Sequence, residues 1–414
     1  MRIGRKSAAG LVVAVALVAA MTGPAAGAAT RGLTRPGFAG VLTKAGVLDS
    51  VYCTSRTRCW AAGERITGAG TSVNQLLRWN GTTWRGVSVP NPGGAGGISN
   101  LNAVRCTSAG NCWAAGQYSK SGSFRGQLLH WNGSKWALVK VPQPGGAKAG
   151  DQTALFDVSC TSSASCWAVG EAGTFTGSVS DPVTRKLVNV ALHWNGSAWS
   201  KVRTPDPAGA RANRTNTLES VRCLSRSSCF AAGSYGTLGT SAVLRNQVLH
   251  WNGSTWSKDA TPNPGGTSSG HISQLFGVGC ASGRCFAVGL YGKGTSTSTT
   301  VHNQILRWTG SRWTRAPTPS PAGGELASVM CLTSRNCWAV GAKGTLGSER
   351  TQALHWNGTT WRTVSTPNPG TDQSVLLSVR CTKSANCWSV GVQVSGAAID
   401  DLIVRWNGTT WSQF

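Results

Sequence analysis

Fourteen acidic side chains and fourteen cysteines are the groups in this 414-residue chain whose chemistry could define an activity. Hydrolysis of a glycosidic bond needs two carboxyl groups at a set separation. Glu64 and Glu171 follow comparable glycines in two different segments, and Asp151 and Asp157 lie close together in a third. These acids could meet at one mouth, but no motif ties any two into a pair. The sequence contexts of a serine nucleophile, a zinc hydrolase, a phosphate-binding loop and a dinucleotide fold are absent. So are Asp-rich calcium loops.

The cysteines fall into seven pairs: Cys53/Cys59, Cys106/Cys112, Cys160/Cys166, Cys223/Cys229, Cys280/Cys285, Cys331/Cys337 and Cys381/Cys387. Six pairs are C-x5-C and one is C-x4-C. No histidine stands at ligand spacing beside them, so disulfides are expected and metal is not. Each bridge would close a loop of about seven residues and contribute roughly 2 kcal/mol on the chain-entropy view. No cofactor is expected.

Charge is the remaining chemical signal. Thirty-nine Lys and Arg against fourteen acids give +25. Such a surplus favours anionic partners: anionic glycan, cell-wall polymer, acidic lipid or nucleic acid. The cations are scattered and no specific nucleic-acid motif is present. Charge that only keeps the surface solvated is the other reading.

The N-terminus reads as a secretory leader: Arg2, Arg5 and Lys6, an apolar run over Leu11–Met21, and a small-residue site at Ala26-Gly27-Ala28. Residues 1–28 are therefore expected to be removed, which takes away three positive charges and no acids and lowers +25 to +22. Export agrees with the cysteine usage. The location expected is extracellular, with no membrane-spanning segment after cleavage. Residues 29–46 read as a linker or arm, and residues 38–47 as a candidate extra strand.

From Val47 to Phe414 one unit recurs seven times, starting near residues 47, 100, 154, 217, 274, 325 and 375. Its centre is an Asn-Gly turn such as Trp356-Asn357-Gly358, whose positive φ angles suit a tight hairpin. A second Trp follows five residues after the first. Four strand-like pieces recur; in the sixth unit these are Leu326–Cys331, Cys337–Gly341, Ala353–Trp356 and Thr360–Val364. Two hairpins in tandem make a four-stranded antiparallel sheet, which cannot bury both faces alone but can in a ring. The fold class expected is all-β: a seven-bladed β-propeller of four-stranded blades with one disulfide per blade. How such a ring closes is left open.

The nineteen Trp fall on three repeat positions, as inter-sheet packing requires; stacking of their faces on sugar rings is the other reading. Arg78, His130, His193, His250, Arg307, His355 and Arg405 precede the first Trp. With Gln75, Gln127, Gln247, Gln304 and Gln352 they suggest a recurrent hydrogen-bonding position inside the blades, or a ring of basic groups on a channel. The turn asparagines also match N-x-[ST], but turn chemistry explains them.

The repeat resembles kelch and galactose-oxidase-like propellers in three features. These are a second strand ending in Gly (Gly341), a downstream Trp opening the fourth strand (Trp361), and a Pro-containing crossing (Pro367-Asn368-Pro369). It has one Gly where kelch has two, and its Cys pairs are extra. It is more similar to the WNG-x-x-W, Cys-paired repeats of uncharacterised secreted bacterial proteins. That resemblance implies a fold and a location but no activity. The four tyrosines do not form the set a galactose-oxidase-like copper site would require.

Alternation of antiparallel strands puts the Cys loops and Asn-Gly turns on one face. The loops joining second and third strands, of varied length, share the other face with the crossings. Binding usually resides in such loops on a rigid scaffold. The candidate ligand-binding residues are accordingly Glu64, Arg125, Glu171, Asp181, Arg185, Lys186 and Arg245. The function expected is a secreted, non-catalytic module for glycan or anionic cell-surface polymer. A polysaccharide hydrolase or lyase and a protein-interaction scaffold are the alternatives. Oligomeric state is not readable.

Overall fold

A computed structural model of the protein describes residues 45–68, 70–176, 184–239, 242–294 and 299–414. The leader, nearly all of the arm and Asp181 fall outside the described residues. Among those residues, twenty-eight strands follow one another as seven units of four. In the first unit they are Gly46–Ser55, Arg58–Gly68, Thr71–Trp79 and Trp84–Val87. Every neighbouring pair within a unit is antiparallel. Among the described residues no helix is long and apolar enough to cross a membrane.

All seven expected disulfides form, each inside its own unit: Cys53–Cys59, Cys106–Cys112, Cys160–Cys166, Cys223–Cys229, Cys280–Cys285, Cys331–Cys337 and Cys381–Cys387. In every bridge the first cysteine, on the first strand, stands directly opposite the second cysteine, on the second strand. The C-x4-C pair, Cys280–Cys285, is opposed in the same way across a turn one residue shorter.

The strands run further than their sequence suggests. In the sixth unit they are Glu325–Thr333, Asn336–Lys343, Arg350–Trp356 and Trp361–Val364. The second and third strands stay paired past the glycine read as the strand end. Continued pairing satisfies backbone groups that a loop would leave to water. Much of what reads as variable loop is therefore strand, and Glu64, Glu171, Arg125, Arg185, Lys186 and Arg245 are all strand residues.

The repeated glycine has a steric cause. All seven first strands carry a register shift at one level, for example between Leu48 and Ser50. Facing it lies the second-strand glycine. A Cβ on Gly341 would stand 2.0 Å from the Glu325 carbonyl, and one on Gly63 would stand 1.9 Å from that of Val47. No side chain fits there.

Three contacts join consecutive units. The second-strand aromatic of one unit packs against both Trp of the next. Trp113, for instance, meets Trp194 at 5.0 Å and Trp199 edge-on at 5.1 Å. Phe230 and Phe286 do the same with Trp308/Trp313 and Trp356/Trp361. At four inner-strand junctions a side-chain oxygen of one unit accepts a backbone N–H of the next: Ser50 from Val104, Asp157 from Val221, Ser220 from Val278, and Ser378 from Val51. Reciprocal amide pairs form the third contact: Asn74 with Gln127, Asn189 with Gln247, Asn246 with Gln304, and Asn303 with Gln352. The recurrent glutamine thus bonds between units as well as within its own, where Gln127 Nε2 also donates to the Asn100 and Gln117 carbonyls.

The seventh unit meets the first through the first two contacts and a one-way variant of the third. Trp388 packs on Trp79 and Trp84 at 4.9 and 5.3 Å. Val51 N–H donates to Ser378 Oγ at 3.2 Å, and Gln75 Nε2 donates to Asp401 Oδ2 at 2.6 Å. The last unit has four strands of its own, ending at Trp411–Gln413.

The crossings are pinned to the third strands by one device. The residue between two prolines accepts a third-strand N–H: Asn91 from Asn74, Asp206 from Asn189, Asn263 from Asn246, and Asn368 from Thr351. The turn asparagines accept from the two following N–H groups, as Asn357 does from Thr359 and Thr360 at 3.0 Å.

Candidate functional site

The inner strands converge on a cup at the Cys-loop end of the molecule. Its volume is about 490 Å³, and its lining comes from the first strands of units one, four, five, six and seven and the turns beyond them. The residue before each first cysteine sets the chemistry here: Tyr52, Arg105, Ser159, Arg222, Gly279, Met330 and Arg380. All seven stand at one level, each opposite the second-strand aromatic of its unit. Residues at this level lean toward the following unit. Ser159 Oγ accepts the Cys223 N–H at 3.1 Å, and Arg105 reaches Asp157 at 3.5 Å.

Three guanidinium groups therefore come close enough to act on one another. Arg380 lies 4.1 Å over the Tyr52 ring, and Arg105 lies 5.5 Å from the same ring. Arg222 and Arg380 both line the cup. Burial pushes the Arg222 guanidinium below its usual range; neighbouring Arg105 acts in the same direction, against Tyr52 and Asp157. Arg380 is brought down to about 10, first by burial, with Arg105 and Arg222 adding to it and Tyr52 opposing. Like charges gathered in a partly desolvated place cost free energy unless an opposite charge is near. Asp157 supplies one. Arg380 Nε, itself buried, has no hydrogen-bond acceptor among the described residues.

The rest of the wall mixes apolar and sulfur-bearing groups, Leu224, Ala281, Met330, Leu332 and the first cysteines Cys53, Cys223, Cys280, Cys331 and Cys381, with the hydroxyl residues Thr54, Ser282 and Thr382. The cysteines at the other end of the bridges do not reach it. Cys59, Cys112, Cys166, Cys229, Cys285, Cys337 and Cys387 lie on the second strands, buried in the cores between units, and none lines the cup. Oxidised and enclosed, these seven have no thiolate to offer a ligand, a metal or a substrate. Their part is structural.

This site escapes a reading of the sequence because its position is filled by five residue types in seven units. A column with Arg in three of seven copies was the available signal.

The residues singled out from the sequence as ligand contacts lie elsewhere, and of the acids considered for catalysis only Asp157 acts on the cup. Glu64 and Glu171 are enclosed in the sheets of the first and third units, 3 % and 0 % exposed, and are not brought together. Burial raises Glu64 to about 7, against a hydrogen bond from Ser72. Glu171 ties the third unit to the fourth, accepting from Gln152 Nε2 at 2.8 Å and Thr217 Oγ1 at 2.7 Å. Arg125 and Arg245 donate to crossing carbonyls, those of Ala147 and Thr267. Arg350, equivalent in register, does so to Gly370, Thr371 and Asp372. Arg185 is buried and Lys186 exposed on the same third strand.

Comparison with solved structures places the chain among β-propellers. A polysaccharide lyase, the PL25 ulvan lyase bound to a GlcA–Rha3S saccharide, aligns with a TM-score of 0.51 at 10 % identity, covering 90 % of this chain and 96 % of that one. YCF48 bound to a D1 peptide gives 0.48 at 12 % identity, covering 88 % and 94 %. The six-bladed fucose lectin of Aleuria aurantia gives 0.44 at 13 % identity, covering 90 % and 95 %. At these identities the likeness concerns the fold alone. No protein-family profile and no curated protein matches the chain.

The basic position before the first Trp does not form a channel ring. Trp113, Trp167 and Trp338 each stack on such a histidine of their own unit, at 4.4 to 4.6 Å. Arg78 and Arg405 lie over Trp60 and Trp388 at 5.5 and 5.2 Å. Burial lowers the pKa of His130, His193 and His355. These groups pack the blades.

Proposed function

We propose that this chain is an exported, closed, seven-bladed propeller of kelch-like construction that binds an anionic glycan or cell-surface polymer without transforming it. The observation that carries the reading is the cup. Arg222 and Arg380 line it, Arg105 acts on both from beside it, Asp157 is the carboxylate acting on Arg105 and Arg222, and donor capacity remains unspent. A guanidinium group offers five donors in a fixed fork suited to carboxylate, sulfate and phosphate. The lining contains no carboxyl group, so the cup lacks the carboxyl pair on which glycoside hydrolysis usually depends, while its guanidinium groups suit an anion. Seven disulfides suit an oxidising space outside the cell. The contacts of the seventh unit with the first support closure without an added strand.

The test is a salt titration of the mature protein against anionic wall polymer and a neutral glycan. Binding to the anionic polymer should weaken steadily as salt rises from roughly 50 mM to roughly 500 mM, and the neutral glycan should bind poorly throughout. Equal binding to both, or indifference to salt, would overturn the reading.

A further inference from the structure

The three guanidinium groups and one carboxylate of the cup leave two positive charges unmatched among the groups acting on one another there. The cations are also spatially distinct. Arg105 is held to Asp157, Arg380 is laid flat on Tyr52, and Arg222 stands on the fourth unit with the cup between it and Arg380. A single negative charge would leave one guanidinium facing another.

We infer that the cup takes a compact group bearing two negative charges, a phosphate monoester, between Arg222 and Arg380, with Arg105 behind them. This rests on the reading of the chain as an anion-binding propeller and adds the valence and the place. The oxygens of such a group accept from the Arg222 and Arg380 forks at once, the two guanidinium groups that line the cup. The ester's carbon side faces Leu224, Ala281 and Leu332 at the mouth. Phosphodiesters and sulfate esters carry one charge each and are discriminated against by charge, not by shape.

The test uses methyl phosphate and methyl sulfate, titrated calorimetrically into the mature protein at pH 7.5 and pH 5. A phosphate monoester has its second pKa near about 6, whereas the sulfate ester keeps one charge at both pH values. Methyl phosphate should bind at least tenfold more tightly than methyl sulfate at pH 7.5, and the gap should largely close at pH 5. R222Q and R380Q should each lose at least tenfold in methyl phosphate affinity. K140Q, at an exposed site just past an outer strand, should lose nothing. Should a glutamine variant fail to fold, R222K serves in its place, keeping the charge without the fork and losing severalfold. Equal affinities for the two esters at pH 7.5, or affinity untouched by the arginine changes, overturns the inference. Poly(glycerol phosphate) separates the two levels. Salt-sensitive polymer binding that ignores R222Q leaves the broader reading standing without this site. Methyl phosphate seated in the cup with no anionic polymer bound leaves the site without the broader reading.

Discussion

Replacing Asp401 by Asn should stabilise the protein at neutral pH and leave it nearly unchanged in acid. At four junctions an Asn and a Gln exchange two hydrogen bonds, but where the seventh unit meets the first an aspartate stands in the Asn position. Gln75 Nε2 donates to Asp401 Oδ2, while Gln75 Oε1 and Asp401 Oδ1 are buried without partners. Only a protonated carboxyl can donate to Gln75 Oε1 and restore the reciprocal pair. Burial raises Asp401 to about 7, with Gln75 opposing and Asp400 adding to it. A Cβ on Gly46 would lie 2.7 Å from Asp401 Oδ1, so the first strand closes over the group. Glu64, also raised to about 7, is on the strand paired with it.

The sign follows from proton counting. Between the unfolded value near 3.8 and about 7, the folded state holds a proton that the unfolded state has released, so stability falls as pH rises through that window. Holding that proton across about three pH units corresponds to about 4 kcal/mol as a ceiling. With roughly 370 residues in the folded unit, unfolding entropy is on the order of 0.8 kcal/mol per kelvin, so D401N should raise Tm by up to about 5 °C at pH 8. At pH 4 the two proteins should agree within about 1 °C. Differential scanning calorimetry across pH 4–8 measures this. A D401N protein less stable than wild type at pH 8, or a difference independent of pH, would refute the reasoning.

Other consequences follow from the same contacts. W388A removes the aromatic joining the last unit to Trp79 and Trp84 and should cost about 3–5 kcal/mol, as much as W113A at an internal junction. Thermal unfolding of both variants would show a far smaller cost for W388A if the first and last units were not packed. G341A should fail to fold or lose on the order of 3 kcal/mol, because its Cβ meets the Glu325 carbonyl at 2.0 Å; expression and circular dichroism check this. The C381S/C387S double variant should lose roughly 2 kcal/mol and keep its fold, since the bridge closes a loop within one hairpin; denaturant unfolding measures it.

The sequence made the architecture legible because its signals repeat. Six Asn-Gly hairpins and one Thr-Gly, seven Cys pairs and an aromatic at each of three positions are local chemistry copied around the chain, and copying makes a weak local preference readable. Strand ends were less legible, since the long arms of the second and third strands are polar and of varied length. The contact of the last unit with the first was not legible at all. It depends on Ser378 reaching Val51 and on Asp401 reaching Gln75, pairs more than 320 residues apart. The site was missed for the opposite reason to the fold. Tyr52, Arg105, Arg222 and Arg380 matter because they differ from their counterparts in other units, and only the packing of the units brings them together. Glu64 and Glu171 drew notice as rare acids, but the sheets enclose them.

Where an oxyanion sits is the most direct question to put to the cup. Crystals of the mature protein grown with millimolar tungstate, a heavy doubly charged oxyanion, would locate it by anomalous scattering. One strong peak is predicted inside the cup, within about 4 Å of the Arg222 and Arg380 guanidinium nitrogens. A cup without a peak, or a peak among the turns between second and third strands on the opposite face, would contradict the assignment of this site.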